Sequence, residues 1–588
     1  MNDSTNGLQH ELQSQSGWNR HFEGWFATHS NLIAMLVASL GFLIRLRAAS
    51  GTFLNPDEAL HYLLANQSSC RLAYHASLTN AHPPLLTLVL YFWRGVGASE
   101  FVLRLPSVIA GTVFCWIFFQ WLTRIVGPIT GFIGLILATF LPPMVALAAE
   151  VRQYALLLLF LSTAAYLLEH ALAENSAGMM LLSAISLYLA LLSHYSAILF
   201  AAAMGIYSLL RVIARRPSPQ VCAAWVMGQA GAVGLVTALY VTHISKLKGD
   251  YAAGTIHGWL ANSFFRPGHE NPLLFAIART GGVFQYIFGQ LAVGDVAFLA
   301  FIAGVMLLWR ENVPSADPIV PYRQLGLLLA LPFALGAGAA IAGIYPYGGT
   351  RHSAFLIMFA VAGVSFLLAK LVKQQVGCGI VLAIFVVVVC NAFGKPHRPY
   401  MLREDQSRVQ MTRAMGFIRS QIPQSDLIFV DYQTRLLLGY YLCPQQPVSF
   451  SAPVGRLEEF RCGEHRVVAA GPDLYIFTAE NFLPRWNELL RSVPSEPTPA
   501  IWVLQAGWEV DLLHELESGA QEFRELNPQS FGKNITIFEL TAGQTVSQAL
   551  FPGTNYHPVY NNDGDVKGIR ERRRFGFERS AISLSLGF

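Results

Sequence analysis

The chain reads as a polytopic α-helical membrane protein carrying a C-terminal soluble α/β domain. Three observations point there. Of 588 residues, 53% are hydrophobic and only 13% are charged, whereas a soluble domain carries about 25% charged residues. The deficit lies before residue ~395, where apolar runs of about 20 residues, long enough to cross a bilayer, follow one another. After residue ~400 the pattern changes to short apolar runs alternating with amphipathic stretches.

The apolar runs predict about eleven spans by the 20-residue rule, near 31–49, 104–122, 128–148, 151–169, 178–193, 196–214, 222–243, 288–309, 324–344, 353–372 and 377–394. Proline signals such as Gly127-Pro128 bound several of them. Residues 1–30 are polar and lack a basic region followed by a short apolar core, so they predict a cytoplasmic N-terminal segment and not a cleaved signal peptide; the first span then acts as a retained anchor. Short-loop charge sets the orientation. With the N-terminus inside, the inner loops carry Arg124; Arg211, Arg215 and Arg216; Arg310 and Arg323; and Lys370 and Lys373. The outer side then holds the loop at 50–103, the turns at Glu150 and His194, the loop at 244–287, the turn Tyr345–Arg351, and residues 396–588. The 50–103 loop itself carries Arg71, Arg94 and Arg104, so the orientation rests on the short loops.

In the C-terminal part, 404–421 and 485–491 read as helical, and 427–430, 474–477 and 501–504 as buried strands, which together suggest a largely parallel sheet. No glycine-rich phosphate loop precedes a helix there, so this domain is assigned no chemistry. Of the seven cysteines, Cys115, Cys222, Cys378 and Cys390 lie in apolar runs and behave as small hydrophobes. Cys443 and Cys462 are candidates for pairing on an oxidising side. The basic tail Arg570–Arg574 reads as a solvated face, with contact to anionic lipid as the sharper alternative. A net charge of +4 gives no ground for a nucleic-acid partner.

Polar residues gather at the predicted outer ends of the spans: Arg45 and Arg47, then Asp57, Glu58 and His61, then His82, then Glu150, Arg152 and Tyr154, then His194 and Tyr195, and finally Tyr345, Tyr347, Arg351 and His352. Ionisable groups at bilayer depth are costly and tend to mark functional paths. Each also has a plainer explanation. Carboxylates favour a helix N-terminus, arginines snorkel, Glu150 and Arg152 suit a local ion pair, and aromatic residues belong at interfaces. Their coincidence on one face favours a site for a substrate with an anionic head and an apolar tail.

These residues resemble the polytopic GT-C glycosyltransferases, in the bacterial branch related to protein O-mannosyltransferases and the lipid A aminoarabinose transferase. The ordered features are Arg45, Asp57-Glu58, Pro83-Pro84-Leu85, Glu150-x-Arg152-x-Tyr154-Ala155-Leu156, Ser193-His194-Tyr195 and Tyr345-Pro346…Arg351-His352, covering about 31–372. The resemblance implies a GT-C-like fold and inverting transfer of a sugar from a polyprenyl-phosphate donor to a lipid, glycan or protein acceptor outside the cytoplasm, at the plasma membrane. It implies Asp57 as general base, with Glu58 and Glu150 as supporting catalytic carboxylates. His82, Arg152, Arg351 and Arg45 would hold the donor phosphate. His194, Tyr154, Tyr345, Tyr347 and His352 would line the substrate groove. Some relatives carry Glu-Lys before Pro-Pro, where this chain has Ala81-His82; that removes a plausible metal ligand, so no metal or other cofactor is predicted, although His61, His82 and His194 are possible ligands. Two other classes compete. A transporter or lipid flippase would place its polar groups at mid-span, often with inverted repeats, and no repeat is visible. A non-catalytic assembly subunit would need no converging carboxylates and cations.

Overall fold

The computed structural model describes residues 3–247, 260–310, 320–371, 376–394, 406–443, 457–471, 477–492, 500–507, 512–519 and 523–542. The basic tail lies outside the described residues, as does most of the predicted strand at 474–477.

Helix α1 (Asp3–Ala49) is 47 residues long, and its apolar part, Thr28–Ala49, enters the bundle. Three short helices follow: α2 (Pro56–Ala65), α3 (Cys70–Ser77) and α4 (Leu85–Trp93). The bundle continues through α5 (Glu100–Val126), α6 (Pro128–Phe140), α7 (Pro142–Ala148), α8 (Tyr154–Ala173), α9 (Ala177–Ser193), α10 (Ala197–Arg215) and α11 (Pro219–Thr242). It ends with α12 (Pro272–Phe288), α13 (Leu291–Arg310), α14 (Tyr322–Ile341), α15 (Ile357–Leu371) and α16 (Val376–Phe393). A 3₁₀ turn, Arg351–Leu356, leads into α15.

Among the described residues, 8 helices are long and apolar enough to cross a bilayer, or 9 if the bent pair α6–α7 is one span. The shorter α9 crosses as well. Its predecessor α8 starts beside His194 (Tyr154 and His194 ring centroids 5.2 Å apart), and α9 ends at that same histidine, so α9 must bring the chain back. With α9 and α16 the bundle reaches about the number of crossings that the apolar runs predict. Helix α12 falls where the sequence suggested an outer loop. His243, just past α11, meets Tyr195 Oη and the Asn80 carbonyl at the face that holds the site. Arg351, just past α14, reaches the same face. Only an even number of crossings fits between them. Helices α13 and α14 both meet the length requirement and supply that even number, which leaves α12 without a crossing of its own.

The 65° break between α6 and α7 follows from Pro142-Pro143. Neither proline has an N–H, so the carbonyls of Ala138 and Thr139 lose their helical donors. Arg45 replaces both. Its guanidinium donates to Ala138 O and Thr139 O, each at 3.1 Å, and to Gly41 O on its own helix at 3.1 Å. At 1% exposure it is a structural clamp inside the bundle. This corrects the sequence expectation of a donor-phosphate ligand, and the cause is the proline pair. Another inner-side expectation also changes: Arg211 is buried against Glu169 (2.6 Å) and Tyr207, so it is not a solvated loop charge.

The C-terminal domain follows α17 (Arg408–Gln421) with β1 (Leu427–Val430), α18 (Tyr432–Tyr441), β2 (Glu458–Cys462), β3 (His465–Ala469), α19 (Ala479–Ser492), β4 (Ile501–Ala506), α20 (Leu512–Gly519), β5 (Phe523–Ser530) and β6 (Ile535–Ala542). Sheet order is β2-β3-β1-β4-β6-β5. The central strand β1 pairs in parallel with β3 and β4. The other three pairings are antiparallel, so the sheet is mixed where a largely parallel one was expected. Cys443 and Cys462 are bonded.

One face of this sheet packs under α19 and α20. The other shares a continuous core with Phe53, Ala59, Tyr62, Leu63 and Leu90 of the segment between α1 and α5. Polar contacts pin the same junction. Phe53 N donates to Gln406 O at 3.0 Å, Gln406 Nε2 to Phe53 O at 2.6 Å, Leu54 N to Tyr441 Oη at 2.8 Å, and Tyr440 Oη to Ala98 O at 2.7 Å. The domain therefore lies on the face that carries Asp57.

Arg45→Met is expected to destabilise the detergent-solubilised protein by on the order of 3 kcal/mol, since two buried carbonyls lose their donors. Arg47→Met, on the exposed side of α1, should shift thermal unfolding far less.

A carboxylate held between two arginines

Local sequence places α2. Asn55 Oδ1 accepts from Glu58 N and Glu58 Oε2 accepts from Asn55 N, each at 2.9 Å, and Pro56 takes the first helical position. This is a capping box with asparagine as the cap. Adjacent helical positions point about 100° apart, so Asp57 and Glu58 face different surroundings.

Glu58 is fully buried. Its carboxylate accepts from Arg104 Nε and Nη2, each at 2.7 Å, and from Val151 N at 2.8 Å, besides the cap. Arg104 also donates to the carbonyls of Ala49, Thr52 and Phe53 and to Thr52 Oγ1. Glu58 thus ties α1, α2, α5 and the Glu150–Arg152 turn together; the geometry makes it a scaffold residue, where the resemblance implied a catalytic one. Arg104 is the residue that sequence reasoning missed, although an arginine on the fifth position of a 27-residue apolar helix is itself a signal.

Asp57 has the opposite situation. Its Oδ2 accepts from Arg152 Nη1 and from Arg351 Nη2, both at 2.7 Å, and its side chain is 16% exposed. Arg152 comes from the turn into α8 and Arg351 from the turn into α15, so three separated segments converge on one oxygen. Burial pushes the Asp57 carboxyl up, but Arg152 and Arg351, with His61, outweigh it and hold it below the usual range. The last turn is built for close approach: Gly348 has φ +148°, and a Cβ on Gly349 would lie 2.6 Å from Gly282 O.

Four imidazoles run beside this cluster. Ring centroids are 5.8 Å apart for His61 and His82, 5.5 Å for His82 and His194, and 6.3 Å for His194 and His352. His61 lies one turn after Asp57 on α2, and both of its ring nitrogens are buried without a hydrogen-bond partner. Burial first, then Arg152, pushes His61 and His194 down to about 3, and burial with His194 and Arg152 lowers His82 well below its usual value. These three rings are neutral at physiological pH. Tyr154 and Tyr345 close the row, at 5.2 and 6.5 Å from the His194 ring. Tyr347 does not join it. At 1% exposure it packs against Gly336 and bonds Thr280 Oγ1 at 2.7 Å, which corrects its expected groove role: the turn buries that ring in the bundle core. His243 was also not foreseen. It joins the Tyr195 hydroxyl to the Asn80 carbonyl (2.7 Å for the latter) and so braces the segment that presents His82.

Glu150 stands in the turn between α7 and α8. Burial, followed by repulsion from Glu58, pushes its carboxyl up to about 8, with Arg351, Arg152 and Arg104 only partly offsetting this. Its carboxyl therefore favours the protonated form at neutral pH. Among the described residues no group of three or more His, Cys, Asp or Glu side chains is arranged to hold a metal ion.

Fold and site together define a polytopic membrane protein in which the α2 carboxylate of Asp57 is clamped by two arginines beside a C-terminal α/β domain. Residues 81–241 match the family model described as dolichyl-phosphate-mannose-protein mannosyltransferase, and the chain resembles the polytopic GT-C glycosyltransferases. No curated protein matches it in sequence. Similar solved structures include the oligosaccharyltransferase AglB of Archaeoglobus fulgidus in complex with an inhibitory peptide and a dolichol-phosphate (10% identity, 88% of this chain and 75% of that one, TM-score 0.47). ArnT of Cupriavidus metallidurans is also similar, in the apo state (12% identity, 86% and 97%, TM-score 0.46) and bound to undecaprenyl phosphate (11% identity, 86% and 97%, TM-score 0.43).

The Glu150 shift has a definite sign. The unfolded chain loses this proton near the ordinary value of 4.5, and the folded chain loses it only near 8. The stability from this group is complete below the lower value and falls as pH rises between the two. Glu150→Gln should flatten that part of the curve, as measured by melting temperature between pH 5 and 8.

Proposed function

We propose that this protein is an inverting glycosyltransferase that moves a sugar from a polyprenyl-phosphate donor to an acceptor hydroxyl on the extracytoplasmic side of the membrane. The observation that carries this is the Asp57 carboxylate held by Arg152 and Arg351, set among motifs that resemble lipid-linked sugar transferases over 81–241. An outward-facing site has no ready supply of nucleotide sugar, whereas a lipid-linked donor reaches it laterally. The position of the polar groups at span ends supports transfer over transport.

In this reaction Asp57 takes the acceptor proton as the acceptor oxygen attacks the anomeric carbon. The bond from that carbon to the phosphate oxygen breaks on the opposite side, and its electron pair leaves with the lipid phosphate. Arg152 and Arg351 balance the charge that develops there, with His82 as a neutral hydrogen-bond donor beside them. Protonated Glu150 orients the acceptor or sugar by donating a hydrogen bond. His194, Tyr154, Tyr345 and His352 form the wall against which the sugar packs. The bonded Cys443–Cys462 pair supports an oxidising compartment for the C-terminal domain, and the arginines and lysine ending α10, α13 and α15 support a cytoplasmic opposite face.

Asp57→Asn is expected to reduce transfer from a polyprenyl-phosphate sugar by at least about a thousandfold while the protein still inserts and folds. Arg351→Ala should chiefly raise the donor KM. Full activity of Asp57→Asn would remove the base assignment. A single cysteine at exposed Gly463 or Ser530 should react with an impermeant thiol reagent in intact cells; reaction only after permeabilisation would invert the orientation.

A further inference from the structure

We propose that Arg152 and Arg351 are shared between Asp57 and the donor phosphate, so that donor binding draws the arginines off the base and thereby activates it. This rests on the lipid-phosphate donor reading above. Three observations carry it.

The first is convergence. Both guanidiniums bond the same oxygen, Asp57 Oδ2, at 2.7 Å. A carboxylate so held is stabilised as the anion and is a poor proton acceptor. In the empty site Asp57 is therefore an inactive base.

The second is that neither guanidinium is part of the cap that fixes the base, although the backbone of the Arg152 turn is tied to Glu58 through Val151 N. Asp57 is fixed on α2 by the capping box and by Glu58 with Arg104. Arg152 and Arg351 belong to two other turns. Either guanidinium can swing to a nearby phosphate while the base stays in place.

The third is charge. Asp57 with its two arginines carries a net +1. The surrounding groups add nothing: Glu58 and Arg104 cancel, Glu150 keeps its proton, and the imidazoles of His61, His82 and His194 are neutral. A donor phosphodiester brings one negative charge and neutralises the cluster. Transfer then moves the acceptor proton to Asp57 and leaves a phosphomonoester of charge about −1.5 to −2. Two arginines facing that dianion beside a protonated Asp57 are again neutral. The total is therefore near zero before and after transfer, while the negative charge that the two arginines face moves from Asp57 to the phosphate. Binding is consequently ordered: an acceptor that arrives first meets a base still neutralised by its clamp.

Competition for the same cations gives a test with an uncommon sign. Binding of a short-chain polyprenyl monophosphate to the full chain in nanodiscs is measured for wild type, Asp57→Asn, Asp57→Ser and Asp57→Glu, with the matching polyprenyl alcohol as control. Removing the competing carboxylate should tighten monophosphate binding about tenfold in Asp57→Asn and Asp57→Ser. Asp57→Glu, which keeps the charge, should stay within a few-fold of wild type, and the alcohol should not distinguish the proteins. Unchanged or weaker monophosphate binding in both charge-removing variants would overturn the shared-arginine device and leave the donor reading standing. Absence of phosphate-dependent binding in wild type and variants alike would overturn the donor reading itself, and the device with it.

Discussion

The buried ion pair between Glu58 and Arg104 is the constraint on which the rest of the site depends. Taking both charges out of water is expensive, and only dense hydrogen bonding makes the arrangement stable. Here the carboxylate has four donors and the guanidinium reaches three carbonyls, a hydroxyl and the carboxylate. Removing one partner of such a pair costs about 3–5 kcal/mol, because the other is left buried and uncompensated. The reward is positional. The end of α1, the start of α2, the body of α5 and the turn that carries Glu150 and Arg152 share one fixed point.

From that fixed point the two neighbouring carboxylates acquire different chemistry. Glu58 spends its lone pairs on structure. Asp57, one residue earlier and about 100° around the helix, is held by two cations from other turns. Glu150 feels the fixed negative charge of Glu58 as well as burial and keeps its proton. One anion, one neutral acid and one structural anion thus coexist within a single cluster, separated by environment alone. The neutral imidazoles beside them lend hydrogen-bonding and packing surface without adding charge.

Much of this was legible in the sequence. Apolar runs of bilayer length located the crossings, and the ordered polar motifs at their ends located Asp57, Glu150, Arg152, His194, Arg351 and His352, which the structure brings to one face. The remainder depended on tertiary partners. Nothing local separates Asp57 from Glu58 until Arg104 is known to approach only one of them. Arg45 looked like another outer-end arginine, yet Pro142-Pro143, far away in sequence, creates the two carbonyls that claim it; that signal was present but needed the pairing of α1 with α6. Helix α12 escaped because Arg279-Thr280-Gly281-Gly282 interrupts the apolar run of Pro272–Phe288, so no continuous bilayer-length window stands out there. In the C-terminal domain the alternation of strands and helices was sound for β1 and β4. The antiparallel partners at the edges follow from connections that periodicity does not report.

The junction between the outer loop and the C-terminal domain has a consequence for how the protein is made. Phe53 and Leu54, just ahead of the Asn55 cap, are hydrogen-bonded to Gln406 and Tyr441, residues that a ribosome adds several hundred positions later. The segment around α2 therefore spends most of translation without its partner, and these contacts form only after α16 has been made. The chain is born with this corner unfinished, and the arrival of Gln406 and Tyr441 is what closes it.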